Sequence, residues 1–172
     1  GPLTGELRLS EGMLHGRSLP KLTGEIHVHH TTLAIPSLPE EESVLPEVIL
    51  DVGVTLGEKV RFYSPSLYDM RLAGGFHYGG TTRYVAPSGS VTVERGTITY
   101  NRTRFTVKEG EAYFNQVGSF LPSLSLEAEA RFGKTRIFLH TTGPIGKMET
   151  HLSSEPAMSE TAILRLLTFR TT

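Results

Sequence analysis

Histidine has the widest chemical reach of the side chains in this sequence, because an imidazole can bind a metal or carry a proton near neutral pH. The chain has seven histidines and no cysteine. Three sit together: in Glu25-Ile26-His27-Val28-His29-His30, the alternation of a strand puts His27 and His29 on one face. Two imidazoles begin a metal site without completing it. Zinc takes three or four protein ligands, and no carboxylate or thiol stands at a diagnostic spacing. The run therefore reads as solvent-facing strand histidines, and the scattered His15, His77, His140 and His151 read the same way.

Other candidate chemistry is thinner. Asn101-Arg102-Thr103 matches the glycosylation sequon, a short and common pattern. Gly74-Gly75 and Gly79-Gly80 precede neither a helix pattern nor a Lys-Ser/Thr pair, so they read as sheet bends rather than phosphate loops. No serine lies in a Gly-x-Ser-x-Gly elbow, and no carboxylate pair stands apart from ordinary strand surface. An enzymatic reading has no residue to rest on, and no metal or cofactor is expected.

The elements that would carry these residues are strands. Val48-Ile49-Leu50-Asp51-Val52-Gly53-Val54-Thr55-Leu56 alternates throughout, with Val48, Leu50, Val52, Val54 and Leu56 on one face. Further strands are expected at 59–64, 67–78, 124–132 and 135–141. Leu124, Leu126, Ala128, Ala130 and Phe132 share a face of one, and Ile137 and Leu139 belong to the next. Two longer units each hold strand, glycine and second strand: Gly89 to Tyr100, with Val91, Val93 and Ile98, and Thr103 to Phe114, with Phe105 and Val107. A loose repeat opens the chain, as Leu3-Thr4-Gly5-Glu6-Leu7-Arg8-Leu9 returns as Leu22-Thr23-Gly24-Glu25-Ile26-His27-Val28. Repetition at strand length suggests one elongated sheet built by accretion.

Glu11-Gly12, Arg95-Gly96 and Glu109-Gly110 lie between strand-like runs and read as hairpins or bends. Pro36 to Pro46, with Glu40, Glu41 and Glu42 inside, has no periodicity and reads as an exposed loop. Pro122 and Pro144 bracket the last two strands. Only the end reads as helix, near 159–168, with Ser159 as N-cap, Glu160 in the first turn and a stripe of Ala162, Ile163, Leu166 and Leu167.

Composition bounds the function. At 172 residues the chain suits one domain over 1–172. Lys and Arg total 17 against 18 Asp and Glu, so no basic excess is available to neutralise phosphates, which argues against nucleic acid as a partner. Without cysteine there is no structural disulfide and no thiolate metal site. No stretch approaches the roughly 20 apolar residues that span a bilayer, and no signal peptide opens the chain. Gly1-Pro2 resembles the scar of a cleaved affinity tag, so the missing signal says little about targeting or anchoring.

One short helix leaves much oily strand surface to cover. Either two sheets close as a sandwich, or one curved sheet keeps a concave apolar surface for a ligand. The uneven strand lengths fit a sandwich with regular turns poorly.

Motif order from Val48 onwards resembles the TamB C-terminal domain family of the diderm bacterial envelope. Leu50-Asp51-Val52-Gly53-Val54-Thr55-Leu56-Gly57-Glu58-Lys59-Val60 and Leu67-Tyr68-Asp69-Met70-Arg71-Leu72-Ala73-Gly74 look like its acidic strand and the strand that follows. Pro87 to Thr97 and Phe105 to Phe114 resemble its paired strand segments, and Pro122 to Ala128, Gly143-Pro144, Ser153 to Pro156 and Ile163 to Leu167 complete the order. The chain stops at Thr172, soon after Phe169-Arg170 stands at the family's small-residue position, so it reads as an internal fragment.

The resemblance implies an all-β fold: a U-shaped, taco-like sheet with an apolar lumen. It also implies a non-enzymatic role in periplasmic lipid traffic and outer-membrane biogenesis, distantly similar to AsmA-like and bridge-like lipid-transfer proteins. Implied partners are phospholipid and an outer-membrane barrel protein of the Omp85 type (TamA-like), with the full-length protein anchored in the inner membrane. On this resemblance the lipid-binding lumen residues are Val48, Leu50, Val52, Val54, Leu56, Val91, Val93, Ile98, Phe105, Val107, Leu124, Leu126, Ile137 and Leu139. Tyr100 and Phe114 fall at the rim or inside, because parity across a glycine bulge leaves both open. The alternative function is an assembly chaperone that binds nascent outer-membrane proteins by strand-edge pairing.

Overall fold

A computed structural model describes residues 3–34 and 46–169. Nearly all of the Pro36–Pro46 segment, Gly1-Pro2 and Arg170 lie outside the described residues. The strands are β1 (Leu3–Leu14), β2 (Arg17–Val28), β3 (Thr31–Leu33), β4 (Ile49–Ser64), β5 (Tyr68–Gly80), β6 (Val85–Tyr100), β7 (Thr103–Tyr113), β8 (Ser123–Phe132), β9 (Thr135–Pro144) and β10 (Glu149–Glu155), followed by one helix, α1 (Glu160–Thr168). The fold is all-β: a single ten-stranded sheet ordered β1-β2-β4-β5-β6-β7-β8-β9-β10, with β3 paired to β4.

Neighbours in sequence pair antiparallel almost throughout, because short turns can join them. The exception is β4, which runs parallel to both β2 and β3. β2 pairs with Ile49 to Leu56, and β3 pairs with Val60 to Phe62. The break between them at His29-His30 lies beside the bulge of β4, where Lys59 takes φ 56°.

The two opening repeats are partners of each other. Leu3 pairs with Val28 and Leu9 with Leu22, around a central Glu6–Glu25 pair. Gly5 and Gly24 stand diagonally about that centre with φ of 146° and 149°. A Cβ on Gly5 would run into the Glu25 carbonyl oxygen, and one on Gly24 into that of Glu6. Glycine at both positions is what lets the repeats approach.

Several expected boundaries dissolve into longer strands. The runs expected at 48–56 and 59–64 merge, apart from Val48, into the single strand β4, and Gly89 to Tyr100 lies wholly within β6. Gly12 is inside β1, and the hairpin turns at His15-Gly16 instead. Gly96 and Gly110 lie inside β6 and β7, close to register shifts. Such a bulge accommodates extra residues while the ladder continues, so a glycine there punctuates a strand without ending it.

Candidate functional site

Register places one continuous apolar face across the sheet. On β4 it carries Leu50, Val52, Val54 and Leu56, and beyond the bulge Val60 and Phe62. Opposite them on β5 stand Tyr78, Phe76, Gly74, Leu72 and Met70. On β6 the face continues through Val91, Val93 and Ile98, and on β7 through Phe105, which pairs with Ile98. Val107 pairs with Ala128, Ala128 with Leu139, and Ala130 with Ile137. The other face carries Arg61–Asp69, His77–Asp51, Lys108–Glu129 and Arg136–Glu129 pairs.

A flat single sheet would leave both faces wet, yet Val60, Phe105 and Ile137 are fully buried. The sheet therefore curls around its own apolar side. Two clusters result. The C-terminal one joins Met70, Phe105, Val107, Leu126, Ala128, Ile137, Leu139 and Leu152 to Ile163 and Leu167 of α1. The other joins Val28, Leu56, Val60, Val91 and Phe114. Leu72 packs against both.

The short helix packs over the C-terminal cluster through Ile163 and Leu167. Ser159 Oγ accepts the Ala162 N–H at 3.1 Å, as its N-cap position predicts. Glu160 Oε1 accepts the Leu152 N–H of β10 at 2.9 Å. At the far end Asn101 Nδ2, in the β6–β7 turn, donates to Thr168 Oγ1 at 3.1 Å. Nine residues of helix extend about 13.5 Å, close to three inter-strand spacings of about 4.8 Å. The helix thus bridges β10 to the β6–β7 turn with Ile163 and Leu167 facing inward.

The fourteen residues expected at the lumen divide by position. Leu50, Val52, Leu56, Val91, Phe105, Val107, Leu126, Ile137 and Leu139 are buried on the apolar face. Val54, Val93, Ile98 and Leu124 are half-buried. Val48 precedes β4, where Thr82 Oγ1 accepts its N–H at 3.0 Å. Tyr100 packs on the C-terminal cluster and Phe114 belongs to the other, so both lie on the apolar face. Sequence reasoning passed over Val60, Met70, Leu72, Phe76, Tyr78 and Leu152. For the residues of β5 and β10 the signal was the same two-residue period, whereas Val60 lies beyond the bulge of β4.

Aromatic side chains gather near one end of this face. Phe76 stacks on Phe114 at 4.0 Å, and Tyr78 meets Phe120 edge-on at 5.1 Å. The Tyr78 hydroxyl donates to the Phe120 carbonyl at 2.5 Å, and burial raises the Tyr78 pKa above the ordinary phenol range. On the outward face, the hydrogen bond from His77 lowers the Asp51 pKa and that from Arg61 lowers the Asp69 pKa.

At β1 the apolar row is uncovered. Leu3, Leu7 and Leu9 continue the face that Ile26 and Val28 bring from β2, but they are 65%, 49% and 70% exposed. No group of three or more metal-ligating side chains occurs among the described residues, and His29 lies just beyond the end of β2.

An open sheet that curls around its own apolar side, with a short helix packed over one end and an exposed apolar row at the other, defines an all-β protein. The family model of the TamB C-terminal domain matches residues 3–172, and the chain belongs to that family. No curated protein matches the chain. The family is one of cell-envelope proteins, associated with TamA. No helix among the described residues is long and apolar enough to cross a membrane.

Proposed function

We propose that the apolar face is a segment of a non-enzymatic periplasmic conduit that carries phospholipid acyl chains between the inner and outer membranes, in a protein anchored in the inner membrane. The observation that carries this reading is the uncovered row Leu3, Leu7 and Leu9, continuous with the buried face of β2 and β4. Water opposes acyl transfer by about 0.8 kcal/mol per methylene, or on the order of 12 kcal/mol for a sixteen-carbon chain. A continuous oily groove removes most of that barrier. Transfer from bilayer to groove is then nearly neutral, so the groove needs no nucleotide, and headgroups stay in water at the open seam.

Photo-crosslinking side chains at Leu7 and Val54, on the apolar face, are expected to capture phospholipid, while the same probes at Glu6 and Thr55, on the outward face, capture none. Equal lipid capture from both faces would sink the conduit. A second reading has its own observation: the outer edge of β1, 12 residues long, has no partner strand among the described residues. An edge of that length could pair with the extended chain of an outer-membrane protein. Leu7→Arg separates the two readings. A conduit loses lipid capture and keeps peptide binding; an edge chaperone keeps its peptide whatever happens to lipid.

A further inference from the structure

The outward face carries a feature that the apolar groove does not use. Arg61 of β4 stands opposite Arg71 of β5, and Arg71 stands opposite Arg95 of β6. All three point away from the core, since the neighbouring Val60, Phe62, Met70 and Leu72 face it. Directly opposed side chains in a sheet stand about 4.5–5.5 Å apart at Cβ, and like charges there are destabilising. The whole chain has a formal net charge of -1, so this row is a local concentration rather than one sample of a basic surface.

The three arginines are not equivalent. Arg61 is neutralised by a two-pronged contact with Asp69, Nε to Oδ1 at 2.8 Å and Nη2 to Oδ2 at 2.7 Å, and its guanidinium lies over the Tyr63 ring at 4.2 Å. Arg71 and Arg95 form no ion pair among the described residues, although the Asp69 carboxylate, held chiefly by its hydrogen bond from Arg61, also feels the Arg71 charge. Beside them Thr97 of β6 pairs with Thr106 of β7, and both hydroxyl-bearing residues share the outward face. Arg61, Asp69, Arg71, Arg95, Thr97 and Thr106 line one shallow notch, in which Asp69 stands directly opposite Thr97 with its carboxylate held by Arg61.

We propose that Arg71 and Arg95, with Thr97 and Thr106 beside them, form a phosphate-binding site on the outward face of the sheet. Two adjacent guanidinium forks present more donors than one carboxylate can accept. A phosphate group offers several oxygens and up to two negative charges, and it can bridge both forks while the hydroxyls donate to a remaining oxygen. Arg61, held by Asp69, fixes the side of the notch. The shared chemistry is the phosphate group, supplied by free phosphate or by a lipid headgroup. The site is on the opposite face from the acyl groove and stands independently of it.

Thermal denaturation in phosphate and in chloride at matched ionic strength tests the site, using the wild type, the R71Q/R95Q double variant and the single variant Arg71→Glu. Phosphate is expected to raise the wild-type Tm above its value in chloride. Both variants lose that difference, and Arg71→Glu, which places a carboxylate opposite Arg95, has the higher Tm in low-salt chloride. Flotation with phosphatidylcholine vesicles, with and without phosphatidic acid, distinguishes the sources. Capture by phosphatidic acid that needs Arg71 and Arg95 assigns a headgroup; a response to inorganic phosphate alone assigns the free ion. Phosphate and vesicle responses identical in wild type and variants overturn the proposal.

Discussion

Leu9 in β1 and Phe105 in β7 both point to the apolar side of one sheet, yet Leu9 is 70% exposed and Phe105 is completely buried. Both residues obey the same two-residue period. What differs is what lies above them: Phe105 shares a cluster with residues of β5, β8, β9, β10 and α1, whereas none of the described residues covers the row of Leu3, Leu7 and Leu9. The edges differ in the same sense. Glu160 accepts an N–H of β10, while β1 is a long edge without such a cover among the described residues. Strand pattern selects a face, and burial depends on what crosses that face.

The strongest way to break the comparison is to truncate one residue from each end. Phe105→Ala is expected to cost about 3–5 kcal/mol of stability in urea denaturation, and Leu9→Ala less than about 0.5 kcal/mol. Similar losses from the two would mean that β1 is covered as fully as β7.

A smaller effect sharpens the contrast. Gly24→Ala forces a methyl group onto the Glu6 carbonyl, and backbone strain of this kind costs about 1–3 kcal/mol. The cost is expected as faster amide exchange in β1 and β2, with β8 and β9 unchanged. Faster exchange across the whole sheet would show that the two ends unfold together. Smallest is Glu160→Ala, which leaves the Leu152 N–H without its acceptor and should cost about 1 kcal/mol. Exchange of the Leu152 amide reads it directly, and an unchanged rate would show that the β10 edge does not depend on the helix.

How much of this was legible varies by element. The face of β4 could be read residue by residue from Leu50 to Leu56, as could the N-cap at Ser159, because both are set within a few neighbouring residues. The continuation to Val60 and Phe62 was hidden by the bulge around Lys59, which no local pattern announces. The parallel pairing of β2 with β4 was also out of reach, since it depends on a partner beyond a long connection. The reach of α1 was hidden for a third reason: nine residues look too few to cover a ten-stranded sheet, but the helix crosses only the strands between β10 and the β6–β7 turn. Family resemblance supplied what periodicity could not, a reason to expect one curled sheet rather than two stacked ones.

The open edge has a mechanical consequence. Load applied at the N-terminus would reach β1 first, where Leu3 pairs with Val28 at one extremity of the hairpin. Hydrogen bonds would then open pair by pair, as in a zipper, at low force. At the opposite end Glu160, Leu152, Asn101 and Thr168 tie a helix across several strands, so a pull there must break side-chain anchors together. The domain would peel from β1 and hold at α1.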